Sequence, residues 1–248
     1  MTLADSDQLL ARVATDRASV WAVLSAAFYL PDEQLVWDLR EDRVASRVEA
    51  AVLWLGPDAA PYGRVLRELH SIAAELRARP IDEILRDLRV EHARLFTGPG
   101  RPDVSAYETG YVDVETTGPS RLYGPATAAV ARWYRSFGLE KSEGTNEFPD
   151  YVATEFEFLY ALAKREATAR LDGREEEARM LRRETDRFLR EHPARWIPAF
   201  AAAVRAAKAN RVYAAFTDLA AIHLSTELGE TVDRTALPWP SAPRPPET

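Results

Sequence analysis

The sequence predicts an all-α fold, a single globular multi-helix domain of about ten helices with one long functional loop. Three observations carry this. Apolar residues recur at helical spacing through most of the chain. Prolines and glycines stand at the ends of those stretches. The one strand-like alternation, YVDVE at 111–115, has no obvious second strand to pair with. The 248 residues suffice for a substantial core.

Residues 6–30 place Leu9, Leu10, Val13, Val20, Val23, Leu24, Ala27 and Phe28 at helical spacing, and Pro31 ends the run. Pro31 can open a second helix through about Leu39, with a short third near 43–55. GPDAAP at 56–61 reads as a turn. Residues 62–79 form a helix stopped by Pro80, and 81–96 form another with Ile81, Ile84, Leu85, Leu88 and Leu95 along it. The helical period then stops. Residues 97–125 hold five glycines and four prolines, the composition of a long ordered loop, and a loop of that length is usually functional. Helices resume at 126–137, 149–170, 174–191, 194–208 and 210–227. The helical domain is expected over 1–235, and 236–248 is a proline-rich tail. No repeat of fixed period argues for a solenoid.

Composition narrows the function. A net charge of −7 argues against nucleic acid and favours a basic partner. The chain has no cysteine, which removes disulfides, thiolate metal sites and cysteine nucleophiles. The N-terminus has no basic n-region, and the longest apolar run, residues 21–30, is too short to span a bilayer. The expected location is the cytoplasm, without stable membrane insertion. His70, His92, His192 and His223 are isolated from one another, and no Glu-x-x-His occurs, so each is expected to be a surface or satisfied core residue and no metal site is expected. Neither a G-x-S-x-G elbow nor a phosphate loop is present. Arg182 and Arg183, and the run Glu175–Glu177, read as solvated helix faces. The expectation is a binding protein without catalytic residues or cofactor. A nucleotide-hydrolysing helical enzyme and a plain interaction scaffold are the alternatives.

One helix stands apart, NEFPDYVATEFEFLYAL at 146–162. Pro149 suits its first turn, with Asp150 near the positive end of the dipole. At about 100° per residue, Val152, Phe156, Leu159 and Ala163 centre an apolar face that Tyr151, Phe158 and Leu162 extend on one flank. This arc is wider than a surface helix needs, so the helix is either central or offers an apolar edge to something else. Glu155 falls inside the flank and should be partly buried, whereas Glu157 points to the polar side with Thr154. A carboxylate at Glu155 requires a partner or a raised pKa. It is either a structural tie to another helix or a group reserved for a basic ligand. Six acids against one base between Glu140 and Glu157, set beside aromatics, suit a positive and apolar ligand such as a basic amphipathic peptide.

The stretch Glu147-Phe148-Pro149-Asp150-Tyr151-Val152, followed by Glu155-Phe156-Glu157-Phe158-Leu159, resembles the motif of the TorD/DmsD/NarJ family of molybdoenzyme maturation chaperones. Tyr151 stands where histidine is usual, and Phe156 where leucine is usual. The segment 91–113, with Tyr107, Glu108 and Tyr111, is similar to a second family segment, although Ser105 and Ala106 replace common prolines. The stretches 122–140 and 188–204 also fit, so the resemblance spans most of the chain. It implies a cytoplasmic chaperone that binds the apo catalytic subunit of a dimethyl-sulfoxide-reductase-type enzyme through its N-terminal, twin-arginine leader, until the molybdopterin cofactor is inserted. It carries Asp150, Glu155 and Glu157 over as motif positions and Tyr107 and Glu108 as loop positions. Glu147, Tyr151 and Phe158 complete the expected client-binding set. A monomer is expected, with a helix-exchanged dimer as the alternative.

Overall fold

The structure, a computed structural model, describes residues 3–98, 102–112, 123–139 and 147–229, with side chains from Asp7 onward. Among the described residues it is all-helical, as the periodicity predicts. Helix α1 spans Leu3–Phe28, α2 Glu33–Arg40, α3 Arg43–Val52, α4 Tyr62–Leu76 and α5 Ile81–His92. After them come α6 (Thr109–Val112), α7 (Pro125–Ser136), α8 (Val152–Leu171), α9 (Glu175–Glu191), α10 (Pro193–Ala206) and α11 (Arg211–Glu227).

The helix boundaries follow local chemistry. Asp32 caps α2 by accepting from the Leu35 amide at 2.8 Å, so Pro31 lies just outside that helix instead of opening it. The GPDAAP turn is drawn into a 3₁₀ segment, Leu53–Ala59, in which Gly56 takes φ 54°. The predicted 81–96 helix ends as α5 and continues as a π-turn over Ala93–Thr97. Gly98 closes it: a Cβ there would lie 2.6 Å from the Ala93 carbonyl oxygen, and glycine alone admits that approach. Asn210 caps α11 through the Tyr213 amide. The tail from 230 onward lies outside the described residues, as do 113–122 of the long loop.

Helix α8 is the axis of the fold. It lies along α1 on one side and α9 on the other, while α10, α11 and α4 complete the shell. Val152, Phe156, Leu159, Leu162 and Ala163 are fully buried. The wide apolar arc therefore marks a central helix and not an edge left open. Trp21, Phe28, Phe96, Phe200 and Phe216 join it in one continuous core.

Ionic ties close the far end of the α1–α8 pair. Arg17 of α1 donates Nε to Glu227 at 2.7 Å and Nη1 to Glu166 at 2.9 Å, and Arg170 donates to the other Glu166 oxygen at 2.8 Å. Arg182 completes the group with a 3.0 Å bond to Glu227. Arg182 is thus part of an interior network, where the sequence suggested only a solvated face; Arg183 is exposed.

Candidate functional site

The loop segment 102–112 reaches the site by pairing with the start of α8. Tyr107 and Tyr151 form an isolated antiparallel bridge, with Glu108 N donating to Asp150 O at 3.0 Å and Val152 N to Ala106 O at 2.9 Å. The first amides of a helix have no partner within it. Here the loop supplies one, which explains why α8 begins at Val152 and not at Pro149. Asp150 is spent on the same junction. Its Oδ2 accepts from the Thr109 amide at 3.1 Å and the Thr109 hydroxyl at 2.7 Å, and that hydroxyl also lies 2.9 Å from Thr127 of α7. Asp150, two residues before the start of α8, is therefore also a buried clasp between three segments.

Beneath this junction lies a buried acid cell. Glu155 is fully buried, more deeply than its place on the helix flank suggested, because α10 covers that flank with Trp196. The indole Nε1–H donates to Glu155 Oε2 at 3.1 Å. Glu108, also fully buried, is within hydrogen-bonding reach of Glu155 on one side and 2.8 Å from His192 Nδ1 on the other. Burial pushes the Glu155 carboxyl well above the usual carboxylate range, and the neighbouring Glu108 and Asp150 charges push it further, against the Trp196 bond. Oε1 of Glu108 and Oε1 of Glu155 meet no N–H or O–H donor among the described residues. A neutral Glu155 carboxyl can supply the missing hydrogen between them. Burial also raises the Asp150 carboxyl, opposed by the Thr109 bonds.

Aromatic residues seal the cell. Phe158 packs against Tyr134, Phe137, Trp133 and Phe188 and is buried. Tyr151, expected as part of the binding flank, is buried against Tyr29 and Tyr107, and its hydroxyl donates to the Phe28 carbonyl at 2.6 Å beside His92. Five of the eight expected client-binding residues (Glu108, Asp150, Tyr151, Glu155 and Phe158) thus have no surface to offer in this conformation. Their contacts tie α8 and the loop to each other and to α1, α7, α9 and α10.

The other three reach the surface. Tyr107 is half-buried and donates its hydroxyl to Glu147, while Glu157 is exposed and accepts from Tyr29 at 2.7 Å. The rings of Tyr107, Phe148 and exposed Tyr123 follow one another at 6.2 and 6.1 Å. Among the described residues neither Glu147 nor Glu157 has a cationic partner. The acid and aromatic pairing read from the sequence survives as this narrower strip.

A second accessible feature escaped the sequence reading. Helices α7 and α9, with the start of α10, enclose an open trough of about 1160 Å³. Trp133 and Phe137 of α7 line it, as do Arg187 and Arg190 of α9, and His192 from the acid cell reaches its wall. Arg187 lies 5.1 Å over the Trp133 ring. Only the recurrence of arginine between 182 and 195 hinted at it.

Among the described residues no group of three or more histidine, aspartate or glutamate side chains could hold a metal ion, and no helix is long and apolar enough to cross a membrane. Three histidines satisfy the core reading: His92, His192 and His223 are buried and hydrogen-bonded, and His70 pairs with Asp42 at 2.8 Å.

Residues 56–202, from the 3₁₀ segment through most of α10 and including the whole loop–α8 junction, match the family model described as nitrate reductase delta subunit. The chain belongs to that family. It is 36% identical over 147 residues to the selenate reductase assembly chaperone protein of Thauera selenatis, an alignment covering 59% of this chain and 67% of that one. It is 32% identical over 114 residues to the chlorate reductase assembly chaperone protein of Ideonella dechloratans, covering 46% and 55%. The perchlorate reductase assembly chaperone protein of Dechloromonas aromatica (strain RCB) is 32% identical over 98 residues, covering 40% and 43%. This delta-subunit membership agrees with the resemblance drawn from Glu147–Leu159 and 91–113.

Proposed function

We propose that this delta-subunit family member is an assembly chaperone, without catalytic activity of its own, for the catalytic subunit of a molybdenum-containing reductase. It holds the apo subunit in the cytoplasm by the basic and apolar leader region until the molybdopterin cofactor is inserted. Three relatives named for reductase assembly support the maturation role. The observation that carries the leader contact is the surface strip: two carboxylates without cationic partners, Glu147 and Glu157, set beside the Tyr107, Phe148 and Tyr123 rings. Such a strip suits a segment in which basic residues adjoin apolar ones. Asp150, Tyr151 and Glu108 act on it from behind by fixing the loop to α8, and Glu155 and Phe158 by anchoring α8 to α10, α7 and α9.

The test is co-production with a molybdenum reductase catalytic subunit from the same genome. The expected result is co-purification of the two chains, weakened about tenfold by a Glu147→Lys, Glu157→Lys double variant and by raised salt. Full molybdenum loading of the subunit in cells lacking this chain would overturn the reading.

A further inference from the structure

The trough beside α9 carries charge opposite to that of the chain as a whole. Its acids are all matched: Glu177 by Arg174, and Glu184 and Glu191 by Arg187. Its remaining arginines are not. Among the described residues Arg132, Arg165, Arg190 and Arg195 form no salt bridge, and of the four Arg190 lies within electrostatic reach of Asp186. Arg165 donates to the Phe137 carbonyl at 2.7 Å, and Arg190 and Arg195 reach only the Leu228 and Glu191 carbonyls, each at 3.5 Å. All four are exposed. Four arginines without a salt bridge therefore line one trough of a chain whose net charge is −7.

The same trough is apolar along α7 and α9. The Trp133 and Phe137 rings stack at 6.2 Å with planes 5° apart, and Met180 across from them is 37% exposed. Arginine, aromatic and methionine side chains together are the composition of protein-binding hot surfaces.

We propose that this trough docks an acidic amphipathic segment of a partner polypeptide, with apolar side chains over Trp133, Phe137 and Met180 and carboxylates against Arg132 and Arg195. Size and charge distribution favour a polypeptide over a small anion. The volume of about 1160 Å³ exceeds the roughly 300–1,000 Å³ of small-molecule sites. The four cations also come from four helices, α7, α8, α9 and α10, which spreads them along the trough. A basic leader would be repelled here. This is thus a second contact, opposite in polarity to the Glu147–Glu157 strip, and it goes beyond the function proposed above.

The experiment uses the full chain and two labelled amphipathic helical peptides that share a leucine and phenylalanine face. One carries glutamates on its flanks and the other lysines. Fluorescence anisotropy should show the glutamate peptide binding at least about tenfold more tightly, with the preference falling as salt rises. The Arg132→Glu, Arg195→Glu variant should lose about tenfold for that peptide while its thermal melt is unchanged. Equal binding of the two peptides, or an unchanged affinity in the variant, would overturn the proposal. So would displacement of the peptide by inorganic pyrophosphate at comparable affinity, which would assign the trough to a small anion. Self-association in sedimentation that disappears in the variant would assign it to a second copy of the chain. Failure of reductase maturation with peptide binding intact bears on the function proposed above and not on this trough.

Discussion

Trp196 donates its indole N–H to Glu155 across 3.1 Å, and this bond joins α10 to the first turn of α8 at a point where both side chains are fully buried. A carboxyl placed there is more stable neutral than charged, and Glu108 beside it reinforces that preference. The resulting stability effect has a definite sign. A folded-state pKa raised above its unfolded value contributes stability below the unfolded pKa and loses it as pH rises through the folded one.

Glu155→Gln should therefore flatten the alkaline side of the stability profile. Glutamine keeps the acceptor for Trp196 and the shape of the neutral acid, so at mildly acidic pH the cost is expected to be under about 1 kcal/mol. Above neutrality the variant should match or exceed the parent. Glu155→Ala removes the acceptor and leaves a cavity, and should cost about 2–3 kcal/mol at mildly acidic pH, a cost that shrinks on the alkaline side as the parent itself loses stability. Urea unfolding at pH 6 and pH 9 separates the two cases. A parent profile already flat across that range would contradict the buried neutral carboxyl.

His223 acts in the opposite direction. Its ring is fully desolvated beside Trp21, at 4.5 Å between centroids, and its Nδ1 lies 2.8 Å from the Tyr62 hydroxyl. Burial lowers its pKa to about 4. Between that value and the usual 6.5 the unfolded chain binds a proton that the folded chain refuses, so stability falls as pH drops through this window. The full effect is on the order of 3 kcal/mol. His223→Gln should remove most of this acid dependence. Thermal melts between pH 7 and 4 would show a shallower decline in the variant, and an identical decline would place the effect elsewhere.

How far all this was legible depends on whether the deciding neighbour is local. Helix α8 and its wide apolar arc could be read from Val152, Phe156, Leu159 and Ala163, because helical spacing places them on one face. The burial of Glu155 was half legible: the flank was visible, but Trp196, which seals it, lies 41 residues away. Asp150 beside Pro149 looked like a helix-start acid. It does stand there, but its burial and its long-range bond from Thr109 were not legible, since no local pattern announces a partner of that kind. The cationic trough was invisible for the same reason. Its arginines come from four helices and become a site only when those helices pack.

The Arg17 network should behave as an all-or-none unit. Arg17 is buried and bridges Glu166 and Glu227, both themselves buried. Arg17→Ala would leave two desolvated carboxylates short of their shared cation. The expected cost is about 3–5 kcal/mol. A triple Arg17→Met, Glu166→Gln, Glu227→Gln variant should recover only part of that loss, since it removes the unpaired carboxylates but leaves Arg170 to Glu175 and Arg182 to Asp186 alone. Denaturant titrations of the single and triple variants provide the comparison.

Tyr151 stands where the family motif usually carries histidine, and its hydroxyl serves the Phe28 carbonyl at the end of α1. That carbonyl has a second neighbour, His92 Nε2, at 3.1 Å. Burial lowers the His92 pKa, which keeps its ring neutral, and with Nε2 protonated it can donate to Phe28 O on its own. Tyr151→Phe should then cost only about 1 kcal/mol, because the acceptor stays satisfied. Tyr151→Phe combined with His92→Leu leaves the carbonyl without a donor and should cost more than the two single changes added together. A double-mutant cycle by urea unfolding measures that excess. Strict additivity would mean that the two side chains do not share the Phe28 carbonyl.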